Sequence, residues 1–180
     1  MPTYPVRALT IRRWRRRDAD RVYRVLTEER GVLDVAVAGA ARATSKLAGH
    51  LEPFAEVRLL LARGRGTFRV AGAVQVRRFA GADELAVRRL AQVAAVAEQL
   101  VPVDQALPGA FAAVRAAWEQ VLAGTPDTQS AAVAQLAYDL WAVAGYGAPS
   151  TPAPPPDPGG FLRFMDSYLS SVLPRPVRLG

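Results

Sequence analysis

The sequence predicts an α+β chain, with a small five-stranded barrel over residues 1–80 followed by a helical domain over residues 81–180. Three observations carry that expectation. Apolar residues alternate with period two in the first 80 positions and recur at steps of three and four thereafter. The basic charge is concentrated in the first part, which holds 17 of 23 basic and 7 of 16 acidic side chains, a net +10 against −3 for the remainder. Glycine-bearing turns cut the period-two stretch into short pieces, which suits a closed barrel better than an open sandwich.

The strands follow in order. Residues 4–11 set Val6 and Ala8 on one side and Arg7, Leu9 and Ile11 on the other. Residues 21–27 set Val22, Arg24 and Leu26 on one face and Tyr23 and Val25 on the other. Glu28-Glu29-Arg30-Gly31 interrupts the alternation with a glycine able to take the positive φ of a hairpin turn, its two carboxylates reading as solvated. Val32–Ala38 resumes it, with Leu33, Val35 and Val37 together. Val57–Arg63 and Thr67–Arg78 flank Gly64-Arg65-Gly66 and complete the five.

Helical stripes fill the second part: Ala86, Leu90, Val93, Ala97 and Leu100; then Phe111, Val114, Trp118 and Val121; then Val133, Leu136, Leu140 and Val143; last Phe161, Met165, Tyr168 and Val172. Each is one buried face of an amphipathic helix. Asp83 and Thr125-Pro126 have the chemistry of helix starts, and Gly124 and Gly145 that of exits. Residues 148–160 hold six prolines and read as a stiff exposed connector. The boundary between the two parts falls near residues 80–82.

Composition removes most enzyme chemistry. There is no cysteine, and His50 is the single histidine, set in the apolar Leu47-Ala48-Gly49-His50-Leu51 and read as a packing residue. No Asp-rich loop offers a hard-metal cage, so neither metal nor cofactor is expected. Gly64-Arg65-Gly66 is too short for a phosphate loop, and no nucleophile stands beside a matched base. No apolar run approaches the roughly 20 residues that span a bilayer. A cytoplasmic, nucleoid-associated protein that does not engage membranes is the expectation.

A binding surface remains. Arg12, Arg13, Arg15, Arg16 and Arg17 crowd around Trp14 just after the first strand. Such a cluster suits a phosphate backbone, and Trp14 and Tyr23 offer flat faces for bases. Arg42, Lys46, Arg63 and Arg65 add charge on the same module, in which all basic residues but Lys46 are arginine. The same run also fits a solvated face with Trp14 in the core. In the helical part, Tyr138 and Trp141 lie off the main stripe, and Arg88, Arg89 and Arg115 could edge a groove for an acidic tail.

Leu26-Thr27-Glu28-Glu29-Arg30-Gly31, Val35–Arg42, Ser45–Phe54 and Leu60–Gly66 together resemble the RecO family of bacterial recombination mediators. Gly145-Tyr146-Gly147 and the final Tyr168-Leu169 segment extend the resemblance more loosely. It implies an N-terminal OB-fold and a non-enzymatic role in DNA repair. That role comprises binding single- and double-stranded DNA, annealing complementary strands, and acting with RecR to load RecA on strands coated by single-stranded-DNA-binding protein. The acidic C-terminal tail of that coating protein is the implied partner of the helical part. Family members often carry a four-cysteine zinc module after the Gly-Tyr-Gly segment; the proline-rich stretch stands there in this chain, so zinc is not carried over. Two alternatives stay open: a protein-interaction adaptor with secondary DNA contact, suggested by the apolar residues Tyr138 and Trp141 off the main helical stripe, and an OB-type RNA-binding factor, which shares the barrel and the charge.

Overall fold

The computed structural model describes residues 2–17, 20–40, 46–64, 66–81, 83–145, 160, 163, 164 and 167, without the side chains of 15–17 and 46. Five strands form a closed barrel: β1 (Thr3–Arg17), β2 (Asp20–Thr27), β3 (Gly31–Val37), β4 (Ala55–Arg63) and β5 (Phe68–Arg78), in the order β1-β2-β3-β5-β4. A short helix, α1 (Lys46–His50), lies between β3 and β4 in the chain. This is the OB-fold arrangement, joined to helices α2 (Glu84–Leu100), α3 (Ala110–Ala123) and α4 (Pro126–Val143).

Closure follows from the alternation. Val6, Ala8, Tyr23, Val25, Leu33, Val35, Val37, Val57, Leu59, Leu61 and Val70 point inward, and Leu51 and Ala48 join them. Burying a side chain of this size contributes about 1.5–3 kcal/mol, so this interior dominates the stability of the barrel. β1 is long enough to serve two neighbours: Thr3–Leu9 pairs with β4, and Ala8–Arg17 pairs with β2. An irregularity at Thr10/Arg12 bends it between those roles, and a second, at Arg15/Arg17, lies at its end beside β2. The remaining seam is short, with parallel β3 and β5 paired at Val35–Phe68 and Ala36–Arg69. The Thr67 hydroxyl, donating to the Asp34 carbonyl at 2.9 Å, supports it.

The β2–β3 turn closes on Gly31 at φ 65°, with Thr27 Oγ1 donating to the Gly31 carbonyl at 2.9 Å and accepting from Arg30 N at 3.1 Å. Its carboxylates are engaged rather than merely solvated. Arg7 Nη1 donates to Glu28 at 3.1 Å, and Glu29 accepts from the Arg7 backbone at 3.4 Å.

The chain divides into two units, Met1–Ala80 with Pro102–Phe111, and Gly81–Val101 with Ala112–Gly180. In the first, the returning segment forms a parallel bridge of Val103 with Val32. Val32 N donates to the Pro102 carbonyl at 3.1 Å, and Asp104 N to the Val32 carbonyl at 3.0 Å. Arg30 holds the Asp104 carboxylate at 2.6 Å, and the Arg7 guanidinium lies 5.0 Å above the Phe111 ring. Phe111, buried near the start of α3 as its spacing requires, thus also packs beneath Arg7.

In the second unit, Asp83 caps α2 by accepting from Ala86 N at 2.7 Å, and Thr125 precedes Pro126 at the start of α4. Leu90, Val93, Val114, Trp118, Val121, Val133, Leu136 and Leu140 are buried as their spacing requires, whereas Val143, the last residue of α4, is exposed. The Trp118 indole donates to the Leu90 carbonyl at 3.1 Å. The last stripe (Phe161, Met165, Tyr168, Val172) and, apart from Gly160, the proline-rich connector lie outside the described residues. Among the described residues, no helix is long and apolar enough to cross a membrane, and no three His, Asp or Glu side chains group to hold a metal.

Candidate nucleic-acid interface

The arginine run is not a loop after β1 but part of it. The register sets Arg12 opposite Arg24, Arg13 opposite Tyr23, Trp14 opposite Val22 and Arg15 opposite Arg21. Strand alternation therefore distributes the cluster over two faces. Arg13 shares its face with the inward Tyr23 and forms an ion pair with Glu52. Arg12, Trp14 and Arg24 share the outer one.

On that outer face the Arg12 guanidinium lies 5.1 Å from the centre of the Trp14 ring, and that of Arg24 lies 5.5 Å from it. Cation–π contacts of this kind are worth about 0.5–1 kcal/mol at exposed sites, and they fix the indole in a half-exposed position. Arg24 is itself aimed by Asp34, its partner across β2 and β3, through Nε to Oδ1 at 2.7 Å and Nη2 to Oδ2 at 2.8 Å. Two donors held by one carboxylate give a fixed orientation. The resulting row, Arg12–Trp14–Arg24–Asp34, runs across three strands.

Asp34 also lines a cleft of about 370 Å³ at the β3–β5 seam, with Leu33, Arg63, Thr67, Phe68 and Asp104. Arg30 stacks 5.1 Å from the centre of the Phe68 ring while it holds Asp104. Asp104 takes φ 55°, a left-handed conformation in which aspartate is, with asparagine, among the commoner residues after glycine. On the neighbouring outer face, Arg7 donates to the buried Glu56 at 2.9 Å. That hydrogen bond raises the Arg7 pKa above its ordinary value against the desolvation that lowers it, and Glu28, Glu56 and Glu29 add to the rise by their charge.

The expected site residues separate accordingly. Arg12 and Trp14 come together, Arg13 is turned toward Glu52, and Arg63 is exposed at the cleft. The side chains of Arg15, Arg16, Arg17 and Lys46, and all of Arg42 and Arg65, lie outside the described residues. Tyr23 is not a platform for bases: it is fully buried in the barrel interior. Arg24 and Asp34 escaped the sequence reading because a single charge within a strand gives no cluster signal; the period-two face shared by Val22, Arg24 and Leu26 was the available clue.

In the helical unit Arg88 pairs with Glu84 at 3.0 Å, Arg89 donates to Gln92 at 2.8 Å, and Arg115 is half-exposed. Trp141 is buried, with Phe164 edge-on at 6.4 Å, and so belongs to that unit's core rather than to an open groove; Tyr138 is 43% exposed.

Residues 1–79 match the family described as "Recombination protein O N terminal". The chain is similar to a "DNA repair protein RecO" of Desulforudis audaxviator, 37% identical over 113 residues, covering 62% of this chain and 45% of the relative. It is similar to another of that name in Bifidobacterium adolescentis, 32% identical over 108 residues, covering 58% and 44% respectively. A Nocardioides protein of the same name is 39% identical over 62 residues, 34% of this chain and 25% of the relative. The chain thus matches less than half the length of each of these relatives.

Proposed function

We propose that this chain, which belongs through its first 79 residues to the RecO family, is a DNA-binding recombination mediator in DNA repair. The observation that carries the reading is the outer row on β1–β3, where a half-exposed Trp14 is flanked by the guanidiniums of Arg12 and Arg24. A base stacked on the indole gains about 1–3 kcal/mol whatever its identity. The arginines supply positive charge for phosphates on either side, Arg63 at the end of β4 extends it, and Arg65 adds to the net charge of the same module. Arg13, Arg15, Arg16, Arg17, Arg42 and Lys46 raise the local potential that draws the strand in.

Such a site does no covalent chemistry. It holds an unpaired strand extended with its bases accessible, which is the state complementary strands need for annealing. In this reading residues 1–80, joined by the returning segment 102–111, form the nucleic-acid module, and the rest of residues 81–180 form the helical one. The chain works with RecR to help load RecA on single strands coated by single-stranded-DNA-binding protein, whose acidic tail meets Arg88, Arg89 and Arg115. Double-stranded DNA is bound through the same phosphate contacts. The site of action is the cytoplasm, at the nucleoid.

The test is fluorescence anisotropy of a labelled single-stranded oligonucleotide over a salt series, followed by strand annealing with and without RecR. Log affinity is expected to fall linearly with log salt, with a slope of about −0.7 for each phosphate engaged, and Arg12→Glu to flatten it by about that amount. Affinity independent of salt overturns the proposal. A marked preference for RNA in a direct competition moves the reading to an RNA-binding factor.

A further inference from the structure

The outer face formed by β1, β4 and β5 carries a second basic surface of different character. Directly paired residues share a face, so the register lines up Pro5 with Leu60 and Gly72, Arg7 with Arg58 and Val74, and Ala62 with Arg69. Leu60, Val74 and Val76 are 39%, 63% and 51% exposed. Aliphatic side chains clustered on a strand face this open form an apolar patch that marks interaction surfaces. Arg58, Arg69, Arg77 and Arg78 are all exposed around it.

Two of these charges, Arg58 and Arg69, are not neutralised within the face. Arg7, opposite Arg58, is matched by Glu56 and Glu28, and Glu56 is buried beneath it. The side chains of Arg58 and Arg69 form no ion pair or hydrogen bond among the described residues. Like charges placed across strands are unfavourable, so Arg58 beside Arg7 is a cost that a partner's carboxylate would remove.

We propose that this face docks an acidic protein segment bearing aliphatic side chains. Leu60, Val74 and Val76 would form the dry centre of the contact, and Arg58 and Arg69 its charged rim. The patch differs in kind from the Trp14 row. Bases are held by stacking on aromatic rings, and the paired rows of this face hold aliphatic side chains instead. An apolar centre with a charged, solvent-accessible rim is the anatomy of a protein interface.

The experiment titrates the full chain into a labelled short peptide alternating glutamate and leucine, with the same peptide carrying lysine for glutamate and a labelled oligothymidine as parallel arms. Saturable binding of the acidic peptide is expected. It should weaken about tenfold in Arg58→Glu, in Arg69→Glu and in Val74→Ser, while oligothymidine keeps its affinity for all three. These positions are exposed, and an unchanged circular dichroism spectrum and melting temperature verify the fold. Absence of saturable binding, equal binding of the lysine peptide, or indifference to the three substitutions overturns the proposal. So does a parallel loss of oligothymidine affinity, which assigns the face to nucleic acid. Failure of oligothymidine to bind the unaltered chain instead removes the DNA-binding reading and leaves this one standing.

Discussion

Replacing Gly31 by alanine is expected to destabilise the barrel by about 2–5 kcal/mol. The residue sits at φ 65°, where a side chain costs about 1–2 kcal/mol. An added Cβ would stand 2.1 Å from the Gln105 carbonyl oxygen and 2.6 Å from that of Pro102. Both obstacles are backbone, so the returning segment must withdraw. Its withdrawal breaks the two hydrogen bonds between Val32 and residues 102 and 104, each worth about 0.5–1.5 kcal/mol. The Arg30–Asp104 pair adds little, because its side chains are 39% and 45% exposed and solvent screens them. Urea unfolding followed by tryptophan fluorescence measures the effect, with a midpoint lowered by roughly 1–2 M at an ordinary slope. A loss below about 1 kcal/mol would refute the argument, since it would mean that residues 102–105 relax away without breaking anything that matters. Asp104→Ala is the companion measurement, with an expected loss of at most about 1 kcal/mol.

Other outcomes follow from the same geometry. Trp14→Ala should lower affinity for single strands by the stacking contribution of about 1–3 kcal/mol, read by anisotropy, and lower stability by about 1–2 kcal/mol through the two lost cation–π contacts, read by urea unfolding. Tyr23→Phe should leave that affinity intact and keep or raise stability by up to about 1 kcal/mol in urea unfolding, because the buried hydroxyl has no hydrogen-bond partner in the described structure. Asp83→Ala should cost about 1 kcal/mol, seen as an earlier thermal transition, through loss of the bond to Ala86 N.

The barrel was legible because inward residues such as Leu33, Val35 and Val37 alternate without interruption, and Gly31 marks its turn at positive φ. The choice of interior face on β2 was not legible. Val22 and Leu26 are as apolar as Tyr23 and Val25, all four are buried, and period two alone gives no sign of which pair points inward. Like-charged residues in succession at Arg12–Arg17 read as a loop, although pairing with β2 keeps them extended. Arg58 and Arg69 give no cluster signal because each is a single charge on its own strand, and only the pairing of β4 with β5 sets both on one outer face. Pro102–Phe111 has no periodicity at all; among the described residues it is held through the backbone of Val32, the Arg30–Asp104 ion pair and the Arg7–Phe111 ring contact.

The brevity of the β3–β5 seam has a dynamic consequence. Long ladders join every other neighbouring pair of strands, so thermal breathing should begin where Val35 meets Phe68 and Ala36 meets Arg69. Amides flanking that joint would then trade hydrogen for deuterium sooner than those of β1 and β2. Asp34 stands beside the joint and steadies the guanidinium over the indole, so each momentary parting would also slacken the grip on a bound strand.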